Sequence, residues 1–184
     1  QRFNILFDSY REGVLVAFFT WVTELGSSAA LLGIAVVSTG FVWAHGRGHL
    51  ILPLWVSYAG AHATTWAGKF VFARERPESV AGVEALSPSF PSAHATGAMA
   101  VYGFVAYAIA RDLASFRGHF EITYWTLVLI VLVGFSRIFL SVHYLSDVVT
   151  GLLVGGFWLL VGFAIAEGYR PRPGPPSPRT GDGG

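Results

Sequence analysis

Residues Ser136 to Ala166 read S-R-I-F-L-S-V-H-Y-L-S-D-V-V-T-G-L-L-V-G-G-F-W-L-L-V-G-F-A-I-A. The second part, Tyr144–Ala166, is apolar apart from Asp147. A helix needs about 20 such residues to cross a bilayer, so this segment predicts a membrane span. The first part sets Arg137, His143 and Asp147 among apolar neighbours. An ionisable residue there is costly unless it lines a polar cavity, and it marks a candidate functional site. If the chain is helical from His143 onward, His143 and Asp147 lie four residues apart on one face. The carboxylate then holds one ring nitrogen and leaves the other free to react. A buried histidine merely satisfied by an aspartate gives the same pattern, so the pair alone does not decide between the two.

Composition extends the membrane reading to the whole chain. Of 184 residues, 53% are hydrophobic and only 12% charged, against about 25% charged in a soluble domain, and mean hydropathy is +0.55. A net charge of +1 gives no global field for a nucleic-acid partner. With no cysteine, disulfides, thiol catalysis and thiolate metal sites are excluded.

Working outward, four more spans are expected: Ser28–Ala44, Leu50–Phe72, His94–Ala110 and Ile122–Phe139. The last is joined to Tyr144–Ala166 by a tight reversal over Leu140–His143. Gly13–Thr23 is too short to cross. It reads as a helix along the interface, anchored by Phe18, Phe19 and Trp21, within an interfacial segment 1–26. Gly151 and Gly155 have the G-x-x-x-G spacing of close helix packing. The Pro/Gly-rich tail 170–184 has no apolar face and is expected to be disordered. The fold class is therefore all-α, a polytopic helix bundle forming one domain over 1–169.

Five spans place the N-terminal segment, the 73–91 loop and the 140–143 reversal on one side. Arg47, Arg111, Arg117, Arg170, Arg172 and Arg179 lie on the other, which the positive-inside rule makes cytoplasmic. Three polar clusters then share the extracytoplasmic side: Lys69 to Pro77, Pro91 to His94, and Arg137 to Asp147. Lys69 and Arg76 are about two helical turns apart and would stack on one face, with Pro77 ending their helix. With Arg137 they make three cations that no acidic cluster neutralises, so a multivalent anion is the expected partner. Phosphate fits the Arg forks and the Lys point charge. Ser92, Ala93 and His94 open a helix, Ser92 as its N-cap, where free N–H groups favour an anion. Phosphate chemistry then makes His143, oriented by Asp147, the nucleophile. It makes His94 the general acid and afterwards the base that activates water.

K-F-V-F-A-R-E-R-P (Lys69–Pro77), P-S-A-H (Pro91–His94) and S-R-I-F-L-S-V-H-Y-L-S-D (Ser136–Asp147) together resemble the three-part signature of the type 2 phosphatidic acid phosphatase family. The resemblance implies phosphate binding by Lys69, Arg76, Ser92, Ala93 (through its N–H) and Arg137. It also implies a phosphohistidine on His143 held by Asp147, with His94 as acid, and neither metal nor cofactor. Two features depart from the pattern. Ala93 stands where glycine is common, and membrane members have six spans, so a further span before Gln1 is expected.

The resulting expectation is a membrane lipid phosphatase acting at extracytoplasmic helix ends on undecaprenyl diphosphate, phosphatidic acid or phosphatidylglycerol phosphate. A lipid phosphotransferase through the same intermediate and a non-catalytic anion or lipid binder are the alternatives. His62 reads as a packing or hydrogen-bonding residue, and Arg74 as a possible helper at the phosphate or headgroup. The sequence gives no oligomeric state.

Overall fold

The computed structural model describes residues 13–77 and 87–169, and among them there is helix and turn but no strand. The helices are α1 (Gly13–Glu24), α2 (Ser28–Ala44), α3 (Ile51–Phe72), α4 (Ala93–Ala110), α5 (Phe116–Phe139) and α6 (Leu145–Gly168), with a 3-10 turn over Gly48–Leu50 leading into α3. The expectations for residues 1–12 and for the tail 170–184 lie outside the described residues.

Local chemistry sets the helix ends. Ser27 accepts from the Ala30 N–H and Ser115 from the Gly118 N–H, each satisfying a first-turn donor. Because of the Ser115 cap, α5 starts well before the expected Ile122 and absorbs part of the charged 111–121 connection. Gly46, at φ +70°, supplies the left-handed turn after α2.

α4, α5 and α6 are each long and apolar enough to cross a membrane. Length and apolarity alone do not establish all five expected spans. α1 and α2 qualify only as a pair bent by 43°, since α2 has 17 residues and reaches about 26 Å of a roughly 30 Å core. α3 has 22 residues, but Ser57, His62, Thr64, Thr65 and Lys69 dilute its apolarity. The described helices thus give three spans, or four with the bent pair.

α4 is the central element and touches α2, α3, α5 and α6. It can do so because small residues (Ala95, Gly97, Ala98, Ala100) are buried around its circumference. The G-x-x-x-G spacing on α6 serves this packing. A Cβ on Gly151 would sit 2.7 Å from the Ser92 carbonyl oxygen, and one on Gly155 2.4 Å from that of Thr96. Large apolar side chains such as Val37, Trp66, Phe70, Leu153 and Leu160 face outward, as lipid contact requires. One end of the bundle is fastened by ion pairs between Arg47 and Asp112 and between Arg111 and Glu167. At the other end the Ser92 N–H donates to the Asp147 carbonyl at 3.0 Å, joining the starts of α4 and α6.

Candidate active site

A cavity of about 590 Å³ opens at that second end, walled by Lys69, Arg76, Ala93, His94, Arg137 and His143. Six of the eight expected site residues therefore meet in one space, although they come from segments far apart in the chain. The other two stand behind the wall. Ser92 and Asp147 are fully buried and do not line the cavity. The Ser92 hydroxyl has no partner among the described residues and makes no cap bond to the α4 N-terminus. What Ser92 supplies is backbone, its N–H to Asp147 and its carbonyl to the Thr96 hydroxyl at 2.9 Å.

His143 and Asp147 do pair, but not as two residues on one helical face. α6 begins at Leu145 with Tyr144 as N-cap, so His143 precedes the helix. The reversal turns through Ser141, at φ 53°, and is held by Val142 and His143 N–H groups donating to the Arg137 carbonyl at 3.2 and 3.3 Å. Asp147 is the third residue of α6. Its Oδ2 accepts from the Tyr144 N–H at 2.9 Å and lies 3.5 Å from His143 Nδ1. One carboxylate thus caps the helix and orients the ring. Its Oδ1 accepts from Arg74 at 2.8 Å, and that guanidinium stacks 4.2 Å above the Tyr144 ring.

His143 Nε2 is left facing Arg76, 3.4 Å away. Burial pushes the His143 pKa down to about 4; the Asp147 hydrogen bond works against this, while Arg137 and Arg76 add to it. The imidazole is therefore neutral near pH 7, with Nδ1 carrying the proton toward Asp147 and a lone pair on Nε2.

The cations are placed by backbone as much as by side chain. α3 stops at Phe72, with Ala73 left-handed at φ 41°, so Pro77 does not end the helix and Arg76 does not stack over Lys69 on it. Arg76 sits on the extended segment that follows. It is fixed by Nε to the Ser87 carbonyl and Nη1 to the Val142 carbonyl, both at 2.7 Å. Burial lowers its pKa from the usual guanidinium value, and Asp147 partly offsets this. Lys69 donates to the Pro88 carbonyl. Arg137 is 5% exposed, donates Nη1 to the Thr23 hydroxyl at 2.7 Å, and has no partner for Nε. No carboxylate lines the cavity among the described residues. Lys69 and Arg137 are buried and Arg76 is half-buried beside them; cations gathered this way are costly, and a bound oxyanion offsets that cost. His94 makes no side-chain hydrogen bond among the described residues, and Arg137, His143, Arg76 and Lys69 all act on it electrostatically.

Two contributors, Thr23 and Ser87, carry no sequence signal of their own, and Arg74, expected as a helper at the phosphate or headgroup, holds Asp147. Thr23 reaches Arg137 from 114 positions away, Ser87 lies in a polar loop, and Arg74 is paired with Asp147 only by the turn after α3. Among the described residues no group of three His, Asp or Glu side chains could hold a metal ion.

Three cations, an imidazole oriented by a carboxylate and a second imidazole thus share one cavity at one end of a membrane helix bundle, an arrangement with the chemistry to hold a tetrahedral oxyanion. Residues 50–170 match the model of the PAP2 superfamily. Phosphatidylglycerophosphatase B of Bacillus subtilis strain 168 is 31% identical over 156 residues, covering 83% of this chain and 77% of that one. The crystal structure of the first transmembrane PAP2 type phosphatidylglycerolphosphate phosphatase from Bacillus subtilis superposes with a TM-score of 0.84 at 26% identity, over 92% of this chain and 85% of that one. Aquifex aeolicus LpxE shares the fold, with a TM-score of 0.66 at 21% identity over 88% and 92% of the two chains. The chain belongs to the PAP2 superfamily, and it is a membrane lipid phosphatase.

Proposed function

We propose that this phosphatase removes the terminal phosphate of a glycerophospholipid, phosphatidylglycerol phosphate foremost, through a phosphohistidine on His143 and without a metal ion. The observation that carries the reading is a neutral, Asp147-oriented His143 beside Lys69, Arg76 and Arg137 in one cavity. The named activity of the Bacillus subtilis relative supports the choice of lipid over phosphatidic acid and undecaprenyl diphosphate.

In the first step the Nε2 lone pair of His143 attacks phosphorus as the bond to the lipid oxygen breaks, and His94 gives that oxygen its proton. Lys69, Arg76, Arg137 and the Ala93 N–H hold the three phosphoryl oxygens and the charge that develops on them. Asp147 stabilises the ring as it becomes cationic. In the second step His94 takes a proton from water, the water oxygen attacks phosphorus, and the P–N bond breaks to release inorganic phosphate and neutral His143. Ser92 contributes by fixing the α4 start against α6.

The reading treats 1–169 as one membrane-embedded unit, crossing five times here if α2 and α3 are each counted as spans. The Arg-rich end carrying Arg47, Arg111 and Arg117 is assigned to the cytoplasm, with the cavity on the extracytoplasmic side. The test is phosphate release by protein purified in detergent, with EDTA present. The substrates are phosphatidylglycerol phosphate, phosphatidic acid and undecaprenyl diphosphate, with His143→Ala in parallel. Turnover in EDTA that vanishes in the variant, fastest on phosphatidylglycerol phosphate, is expected. Loss of wild-type activity in EDTA, or turnover that survives in His143→Ala, refutes the mechanism.

A further inference from the structure

The cavity is also lined by His62 and Thr65, which precede Lys69 along α3. His62 precedes Lys69 by seven residues on α3, about 10 Å along the axis. Its ring stacks on Tyr58, with centroids 4.4 Å apart. It also lies against α4 beside Gly97, where an added Cβ would stand 3.5 Å from its Cε1. Gly97 is three residues beyond His94, so the ring sits one turn further in than the proposed acid. Thr65 is 3% exposed. Its hydroxyl and the Nε2 of His62 are buried without hydrogen-bond partners among the described residues. Polar groups held this way at membrane depth are destabilising unless a ligand or water satisfies them.

In-line displacement puts the attacking and departing atoms on opposite sides of phosphorus. With His143 attacking, the departing oxygen is on the side of His94, and whatever that oxygen is attached to extends beyond His94, toward His62 and Thr65. Both of these are neutral hydrogen-bonding groups, and the nearest cation on their helix, Lys69, stands one turn beyond Thr65 and is assigned to the transferred phosphate. They suit hydroxyls better than a second phosphate. We infer that His62 and Thr65 form a leaving-group subsite that selects phosphomonoesters borne on a hydroxylated, glycerol-type linker over those esterified directly to an apolar lipid body. The inference rests on the phosphatase reading above and concerns only which lipid that site prefers.

The experiment compares kcat/KM on phosphatidylglycerol phosphate, phosphatidic acid and undecaprenyl diphosphate for wild type, Thr65→Val, Thr65→Ser and His62→Leu. Thr65→Val is nearly isosteric, and Thr65→Ser restores the hydroxyl. Thr65→Val and His62→Leu should each lower kcat/KM on phosphatidylglycerol phosphate about tenfold, with phosphatidic acid changed less than about twofold. Thr65→Ser should keep the wild-type preference. Equal losses on all lipids, no loss on any, or a wild type that prefers phosphatidic acid or undecaprenyl diphosphate would overturn the subsite while leaving the phosphatase intact. Wild-type protein inert toward all three would refute the phosphatase reading itself, and the subsite with it.

Discussion

Replacing Gly155 by alanine tests whether helix packing far from the cavity sets the reacting geometry. A Cβ at Gly155 would lie 2.4 Å from the Thr96 carbonyl oxygen and 2.8 Å from the Met99 Cβ, against 3.4 Å for the start of ordinary contact. The obstruction is largely backbone, which no rotamer change relieves, so α6 must withdraw from α4 by about 1 Å. Overpacking of this kind costs roughly 1–3 kcal/mol. The same shift moves Asp147, on α6, relative to His94, on α4. A misplacement near 1 Å costs about a hundredfold in rate. The neighbouring Gly156→Ala is the control, because its Cβ meets only the Met99 Cε, at 3.9 Å, and alanine favours helix by up to about 1 kcal/mol. Thermal unfolding in detergent and kcat should fall in Gly155→Ala, kcat by about ten- to a hundredfold, and hold or improve in Gly156→Ala. If both variants behave alike, or if Gly155→Ala unfolds at a lower temperature with unchanged kcat, the seam does not position the site.

Three further predictions use the electrostatics. Burial holds His143 near pKa 4, and the neutral ring is the form that the proposed mechanism uses as nucleophile, so the competent state should persist well below the 6.5 of free imidazole. A histidine NMR titration showing His143 protonating at pH 6 to 7 would contradict this. Arg74→Ala removes one donor from the Asp147 carboxylate. Since the Arg74 side chain is 40% exposed, the loss should be about 1 kcal/mol, three- to tenfold in kcat, with Arg74→Lys recovering part of it. Unchanged kcat in Arg74→Ala would show that Asp147 needs no help from it. Thr23→Val leaves buried Arg137 without the acceptor for Nη1 and should raise KM by about three- to tenfold. An unaltered KM would detach α1 from phosphate binding.

Much of the site is legible in the sequence because charge is so rare in this chain. Lys69, Arg137, His143 and Asp147 stand out against apolar surroundings, where only a polar cavity makes them affordable. Helix parity is enough to bring them to one end, and the structure gathers them there. The intervening geometry was not legible, because it depends on backbone turns that side-chain periodicity does not encode. The left-handed Ala73 ends α3 before Pro77, and the Tyr144 cap excludes His143 from α6. The first expectation had run a helix through residues that hold a turn, whereas the expected reversal over Leu140–His143 is present. Thr23 and Ser87 were missed, and Arg74 was expected at the phosphate or headgroup rather than at Asp147, because their roles depend on partners brought near only by packing. The span count is harder to establish for a related reason. α3 looks like a membrane segment by length, but much of one side faces the cavity, and its polar residues there lower the apolarity that marks a span.

Asp147 fastens the first turn of α6 and also orients His143. That shared duty makes the beginning of one helix an all-or-none switch. Should the opening turn fray, the carboxylate loses its grip on the Tyr144 amide and on the imidazole together, and the ring becomes free to rotate out of line. Lipid composition, bilayer thickness or a bound neighbour that pulls on the start of α6 would then be felt as a change in the number of working molecules, with each intact molecule turning over at its usual speed. A partly frayed population would show a reduced active fraction in a single-turnover burst and an unaltered rate constant.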